Sequence, residues 1–583
     1  MKKFIFSVVS VMFAISVMAQ EQVKPEQNVE QFATYNRSSV SVIALDYNDE
    51  WDEVFQPIVE NYTISSKFDI NKIPTKHIAV EGVVRTTPKD SVVSPVDATV
   101  YAPVKEETAP DTTALGKFAN IMGGMASMMD MLMPAKSDAA TQAAILAYLN
   151  ENNVGKEILS YILARDAEGK FSRAIMDERS AWNATDEDLA ADQGLQVKRF
   201  GQDGHTLIKG SYLTVYDMKN PSKTVTKKDD GTESISWSAV VSAYVYEIEN
   251  AEEVVNNVLG NMWINDDDDA ATKAAKKAAY DSLQVTVKLS AAEAVKVSGE
   301  HLDAALKTSY EKTLTKLSKK IEAWKVTAAC ETVRPYITAK VGTKEGIKNA
   351  DRYAIYGQKW NKKTEAAEFK RMGYARATVI ADNMKVADGQ SDSTYFYQIG
   401  GRRLKGDFTE IVKQSNDLKL GVRLGGGYCA ISNVNLGLEY LGYMHKNGIS
   451  HYGIVDFGFG VGASEYFNKN LTYFNFGLGY QIGLKLKQVM EFQVFAKYVG
   501  DLDLGNYAAA KAAEDEEAQK QCMGHYIDPG LRIVFNCGYP FQLFVQGDYA
   551  IPVASGVYYR TAKGHGESMA SQYNIGAGIK INF

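Results

Sequence analysis

From about residue 416 to Phe583 apolar residues alternate with polar or glycine residues, the period-two pattern of strands whose faces meet different surroundings. Leu418, Leu420, Val422 and Leu424 oppose Lys419, Gly421, Arg423 and Gly425. Phe474, Phe476, Leu478, Tyr480, Ile482, Leu484 and Leu486 oppose Asn475, Gly477, Gly479, Gln481, Gly483 and Lys485. At the end of the chain Tyr573, Ile575, Ala577, Ile579, Ile581 and Phe583 oppose Asn574, Gly576, Gly578, Lys580 and Asn582. Such segments occur at 417–430, 433–444, 451–463, 471–487, 489–501, 523–537, 540–551 and 571–583. A soluble sandwich would carry Lys, Glu and Thr on its wet face, whereas here small residues crowd the polar face as they do inside narrow barrels. The pattern predicts an eight-stranded antiparallel transmembrane β-barrel over 416–583, eight being the smallest usual number. Pro529 cannot donate to a ladder, so a bulge or a later strand start is expected in the sixth segment.

Before residue 416 the pattern is that of multi-domain α+β material. An alternating strand begins at Ser39 and an amphipathic helix spans Trp51 to Tyr62, giving an α/β segment over 20–84. Pro88, Pro95, Pro103 and Pro110 prevent regular helix, so 85–113 reads as a linker. An α+β domain is expected over 114–260, with helices at 115–133 and 139–165 (Asp138 as N-cap) and strands at 207–217 and 235–248. Residues 261–330 read as a helical connector, because Leu302, Leu306, Tyr310, Leu314, Leu317 and Ile321 repeat every three or four positions. Short strands at 336–341, 352–356, 369–381 and 393–398 predict a small β domain over 331–415.

The stretch from Val341 through Gly342, Gly346, Asn349, Ala350 and Asp351 to Tyr356 resembles the strand, glycine turn, acidic residue and strand of the SH3-like C-terminal domain in flagellar assembly protein T-type periplasmic proteins. Asn349-Ala350 stands where that pattern has a glycine, so a generic small β-barrel stays open. Glu178-Arg179, Asn183-Ala184-Thr185, Asp188 and Leu207-Ile208-Lys209 are similar to the pattern of an uncharacterised family of exported bacterial proteins. That resemblance implies export and brings no activity.

Lys2-Lys3, the apolar stretch 4–17 and Val17-Met18-Ala19 form the three parts of a secretory signal, placing 1–19 in a signal peptide. Beyond it no apolar span reaches the ~20 residues of a membrane helix, and the mean hydropathy is −0.24. With 64 Lys+Arg against 71 Asp+Glu, no positive field exists to hold nucleic acid. Alternation ending in Phe583, with Tyr573, Ile575, Ile579 and Ile581 on the same face, is similar to the C-terminal signal that outer-membrane barrel assembly machinery reads. An even strand number puts both barrel ends on one side, so residues 20–415 are expected in the periplasm, with outer-membrane lipid around the barrel. Tyr428, Tyr498, Tyr549 and Tyr573 are expected in an outer aromatic girdle, and Phe492, Phe535, Phe541 and Phe583 in an inner one.

Inward positions carry Lys419, Arg423, Lys485, Lys497, Arg532 and Lys580 against Glu439, Asp456, Glu491 and Asp548. In an interior only wide enough for side chains these charges are expected to pair rather than to line a channel. In an oxidising compartment Cys429 with Cys522 and Cys330 with Cys537 are the pairs that the membrane does not separate; free thiols stay open. Met122, Met125, Met128, Met129, Met131 and Met133 read as a core or helix-packing face, with soft-metal binding and an adaptable partner surface as the other readings. Asp266 to Asp269 lack calcium-loop spacing and read as the flank of a helix at 270–279. No Cys lies within four residues of another, and no His-Glu-x-x-His, Gly-x-Ser-x-Gly or phosphate loop occurs. Gly458, Gly460 and Gly462 fall inside a barrel strand. No catalytic, cofactor or metal residue is therefore assigned. The expected function is a non-enzymatic outer-membrane anchor for periplasmic protein or peptidoglycan interaction; a narrow porin or transport accessory is the second reading and a motif-free hydrolase the third.

Overall fold

The computed structural model describes residues 37–62, 64–85, 137–172, 175, 207–227, 233–362, 366–384, 392–404, 406, 410–428, 432–464, 469–486, 488–521, 523–553 and 573–583. The expected signal peptide, the 85–113 linker apart from Arg85, the 115–133 helix and its methionines, the exported-family motif at 178–188, Cys429 and Cys522 lie outside these residues.

The first domain is a sheet buried on both faces. Its strands are β1 (Ser39–Asp46), β2 (Asp69–Ile70), β3 (His77–Ala79), β4 (Ser211–Lys227), β5 (Glu233–Ile248) and β6 (Val287–Gly299). The order is β2-β1-β4-β5-β6, with β3 also on β1; β1 is parallel to β2, β3 and β4, and the rest is antiparallel. On one face lie α1 (Asp52–Glu60) and α6 (Leu302–Lys320), on the other α2 (Ala139–Glu151), α3 (Val154–Ile162), α4 (Ala251–Asn257) and α5 (Ala270–Asp281). Alternation sorts the residues: Val40 and Ala44 of β1 join the first core, Ile43 and Leu45 the second. The first core centres on Tyr216, Tyr310 and Tyr62, the ring of Tyr310 lying 4.5 Å from Tyr216 and 4.9 Å from Tyr62.

This sheet corrects the expected division of the chain. β1, placed in a separate α/β segment, pairs with β4, so the unit runs across the 85–113 boundary. The supposed connector 261–330 supplies an edge strand, β6, and its periodic helix α6 covers the sheet rather than bridging domains. The 139–165 helix is two helices, broken where Asn153 takes a left-handed φ of 53°. Asp138 caps α2 as expected, accepting from the Ala140 N–H, and Asp269 caps α5 through the Thr272 N–H at 2.6 Å.

The second domain is a six-stranded antiparallel sheet of β7 (Thr327–Ala329), β8 (Ile337–Ala339), β9 (Arg352–Asn361), β10 (Ala366–Val379), β11 (Thr394–Gly401) and β12 (Ile411–Gln414), ordered β7-β12-β9-β10-β11-β8. The four expected strands are present; β7 and β12, three and four residues long, pair with each other and were not legible. Where the first two domains meet, Lys67 is buried at 7 % exposure with its stem against Gly346, and burial pulls its ammonium down to about 8. Below pH 8 folded and unfolded chains both carry the charge, so folding bears the whole desolvation cost; between about 8 and 10.5 the folded chain deprotonates first and the cost fades. Lys67→Met is expected to stabilise the full-length protein by up to about 3 kcal/mol at pH 7, a gain shrinking to nothing by pH 10.5, read from the first calorimetric transition in detergent.

The third domain is a barrel of eight long strands: β13 (Leu420–Tyr428), β14 (Ser432–Met444), β15 (Ile449–Ser464), β16 (Lys469–Leu486), β17 (Met490–Asp503), β18 (Met523–Gly538), β19 (Phe541–Tyr549) and, after the two-residue β20 (Ile551–Pro552), β21 (Tyr573–Asn582). Each pairs antiparallel with the next, and β21 closes on β13. All eight expected segments are strands. At Pro529 neither a bulge nor a late start occurs. The β18 ladder runs unbroken on β17, while on its other side pairing lapses between Gly530↔Asp548 and Ile527↔Ile551 and resumes in the same register. The gap falls where the missing N–H would have donated. Between β17 and β18 stand α7 (Leu504–Ala512) and α8 (Glu516–Gln521), with Glu514 to Glu517 exposed beside them.

Candidate functional site: the filled barrel and its cap

Exposure along the strands follows the predicted faces. On β17 Phe492, Val494, Ala496 and Tyr498 are exposed and Glu491, Gln493, Phe495, Lys497 and Val499 buried. Tyr428, Tyr498 and Tyr573 stand exposed near one rim and Phe492, Phe535 and Phe541 near the other, with Tyr549 half-buried against Tyr573 at 4.8 Å. Of the assembly-signal residues, Tyr573 and Ile575 are exposed and Ile579 and Ile581 half-buried. Phe583 departs from its expected girdle position: it is 4 % exposed, because its backbone is drawn into the strand junction, accepting from the Leu418 N–H and donating to the Leu420 carbonyl.

The inward charges pair in layers. At mid-barrel Glu439 accepts from Arg532 Nη1 (2.7 Å) and Lys580 Nζ (2.5 Å) and lies 2.6 Å from Arg423 Nε. Arg532 also donates to Gln481 (2.7 Å), Gln493 (3.1 Å) and Gln546 (2.9 Å), with its guanidinium 4.8 Å from the Phe495 ring centre. Toward the long-loop end Asp456 receives Arg423 Nη2 (2.6 Å) and Lys497 (3.0 Å), and Lys497 reaches Asp528 (3.0 Å). Asn574 donates there to Asp548 at 3.0 Å, within a carboxamide chain of Asn435, Asn433 and Asn574. Toward the other end Lys485 pairs with Glu491 at 2.5 Å, and the Tyr452 hydroxyl donates to Glu491 at 2.8 Å.

Glycine makes this packing possible. A Cβ at Gly437 would stand 2.5 Å from both the Arg423 guanidinium and an Asp456 oxygen, and one at Gly483 would collide with the Glu491 carboxylate. Cavities of about 30 Å³ lie beside Arg423, Asp456 and Lys497 and beside Glu439, Lys485 and Lys580. Each holds a few waters at most, at about 10–15 Å³ per water.

Eight of the ten predicted interior charges form ion pairs in this way, and Asp548 accepts from Asn574. Lys419 does neither: its backbone is left-handed (φ 55°), which breaks the strand parity, and its ammonium pairs with Asp351 (3.0 Å) and donates to the Asn349 carbonyl (2.7 Å) at the barrel mouth. Asp528 and Asp501 were missed, although two-residue steps from Arg532 and from Lys497 reach them.

That mouth is closed by the second domain. Asn349 exchanges hydrogen bonds with the Met444 main chain (2.8 and 2.9 Å), Arg376 grips Asp417 (2.6 and 3.1 Å), and Arg352 donates to the Tyr539 hydroxyl (2.6 Å). Ile399 and Ala350 pack with Leu441, Met444, Ile454 and Phe495 of the barrel. Lys446 lies 3.6 Å from the Tyr395 ring centre and 4.4 Å from that of Tyr336. The short turns 445–448, 488–489 and 539–540 all sit at this end, where the chain also enters and leaves the barrel.

The expected Cys330–Cys537 bond is not formed. Both thiols are free: Cys330 is buried in the second domain's core, where burial pushes its thiol up to about 12, and Cys537 is exposed beside the last short turn. No group of three or more His, Cys, Asp or Glu converges among the described residues.

No family model matches the sequence, and no curated protein does. Among solved structures the chain is similar to a barrel from de novo design of transmembrane β-barrels, at 13 % identity over 28 % of this chain and 94 % of that one with a TM-score of 0.18. It is also similar to a loop L8 deletion mutant of OmpT, an outer membrane protein of Vibrio cholerae (11 % identity, 64 % and 98 % covered, TM-score 0.13), and to an anion-selective porin from Comamonas acidovorans (11 %, 64 % and 99 %, 0.13). The barrel assignment rests on the strand ladder and not on these likenesses.

Proposed function

We propose that the chain is a non-enzymatic outer-membrane protein whose barrel anchors a periplasmic region, residues 20–415, for interaction with protein or peptidoglycan. The observation that carries this reading is the barrel's interior: in the mid-barrel layer Arg423, Arg532 and Lys580 all pair with Glu439, and a folded domain covers the mouth. A conduit would leave charged side chains hydrated, whereas these hold one another, which favours a static plug. Most of the described residues lie on the short-turn side, and in barrels of this kind short turns face the periplasm.

Two measurements test it. Protease added to intact cells is expected to leave the region 115–398 uncut; cleavage there overturns the periplasmic placement. The full-length protein in planar bilayers is expected to pass no steady current, and robust channels overturn the anchor in favour of a narrow porin. A pull-down from envelope extracts with full-length protein then asks whether the bound material is protein or peptidoglycan.

A further inference from the structure

Two histidines stand together where β14 turns into β15. His445 opens the turn and donates its backbone N–H to the Ile449 carbonyl at 2.7 Å. His451 stands on β15 opposite Tyr443 of β14. Their rings converge so that the two Nε2 atoms lie 2.9 Å apart. His451 Nδ1 lies 2.5 Å from the Tyr480 hydroxyl on the neighbouring β16, and the Tyr443 ring shields one side, 4.8 Å from His445 and 6.1 Å from His451.

Two nitrogens that face each other at this distance are held together by what lies between them. In the metal-free chain that is a single proton, since one Nε2 must donate and the other accept. A tetrahedral metal with imidazole bonds of about 2.0–2.1 Å spans its nitrogens by about 3.3 Å, so the same pair needs to open by only a few tenths of an ångström. The arrangement behind His451 also suits ligation: a histidine that binds metal through Nε2 carries its proton on Nδ1 and gives it to an oxygen, which fixes both tautomer and ring orientation. The Tyr480 oxygen is placed to receive it.

We propose that His445 and His451 form a bidentate site for a borderline divalent transition metal, Cu²⁺ or Zn²⁺, at the cap end of the barrel, with Tyr480 as the positioning residue behind His451. Water completes the coordination, because no third His, Cys, Asp or Glu converges there among the described residues. Imidazole favours these metals over Mg²⁺ and Ca²⁺. The adjacent Lys446 lies against Tyr395 and Tyr336 of the cap, so the site sits on the turn that joins barrel to cap.

The test uses tag-free full-length protein in detergent, titrated with Cu²⁺ or Zn²⁺ alone. One ion per chain is expected to bind, with at least tenfold weaker binding in His445→Ala/His451→Ala. Tyr480→Phe is expected to weaken binding about tenfold, the scale seen when a ligand histidine loses its orienting partner. The Cu²⁺ resonance spectrum should show coupling to two imidazole nitrogens. Heat-modifiable gel migration reports whether each variant keeps its barrel. Stoichiometric binding unchanged in the double variant, no binding in the parent, or coupling to fewer than two nitrogens would each overturn the proposal, and the last two need no variant to fold.

Discussion

Glu439→Ala is expected to leave the barrel unable to reach its folded, heat-modifiable form, or to lower its unfolding free energy by about 3–5 kcal/mol, the scale for removing one partner of a buried ion pair. Glu439 is 1 % exposed and is the common counter-ion of Arg423, Arg532 and Lys580. The three cations fare differently without it. Arg423 keeps Asp456 at 2.6 Å, and Arg532 keeps the carbonyls of Gln481, Gln493 and Gln546. Lys580 loses its ion-pair partner and is left facing the Tyr452 ring at 5.2 Å, with Glu491 acting on it only from a longer distance. Most of the loss therefore lies on one lysine, which fixes the rescue: Glu439→Gln/Lys580→Met removes the stranded charge and keeps a polar group for the arginines. The double variant should recover more than half of the lost stability in urea unfolding with lipid vesicles. Wild-type behaviour of Glu439→Ala, or a double variant worse than the single one, would show that the mid-barrel layer does not stabilise the fold.

The barrel was legible because both of its determinants, strand period and face chemistry, are local. Any two residues an even number of positions apart on one strand share a face, so Arg532 and Lys485 could be placed inside without knowing their partners. The same rule reaches Asp528 and Asp501, which were passed over because one stands beside a proline and the other at a segment end. The first domain was illegible for the opposite reason. Ser39 of β1 bonds Ser211 of β4 at 2.8 Å across 172 residues, and no periodicity says which distant strand a strand will choose. β6 hid in an alanine-rich stretch, Ala291-Ala292-Glu293-Ala294, whose composition favours helix; its place at the sheet edge overrides that preference. The apolar stripe of α6 was visible, but a stripe predicts burial and not the surface it is buried against. The cap contacts are made by single polar side chains, Asn349, Arg352 and Arg376, with neither a repeat nor a motif to mark them.

Arg376→Met should loosen the docking of the second domain on the barrel while leaving the barrel folded. Arg376 and Asp417 are each 6 % exposed in their side chains, and the fork of Arg376 holds both Asp417 oxygens while Nη1 also donates to the Ala350 carbonyl at 2.5 Å. Without the guanidinium, Asp417 retains the Lys419 N–H at 3.1 Å, while Lys319 reaches only its backbone carbonyl at 3.1 Å, so a buried carboxylate loses its bidentate partner. The expected loss is again about 3–5 kcal/mol, but it falls on docking, because the ion pairs inside the barrel involve neither residue. The remaining contacts include the Asn349–Met444 exchange, the Arg352–Tyr539 bond, Lys419 on Asp351 and the bond from the Tyr397 hydroxyl to the Lys485 carbonyl, so docking should loosen at the Asp417 side without being lost. Amide exchange is expected to rise by at least tenfold over 349–352 and 415–419, with strands β16 and β17 unchanged. Arg376→Lys should not rescue, since a single ammonium cannot span two carboxylate oxygens and a carbonyl in one plane. Arg376→Met/Asp417→Asn should, because it removes the stranded charge. Unchanged exchange at 415–419 in Arg376→Met would mean that the cap is held by its apolar contacts alone, with Ile399 and Ala350 against Leu441 and Met444, and that the buried pair is a passenger of the docking and not its cause.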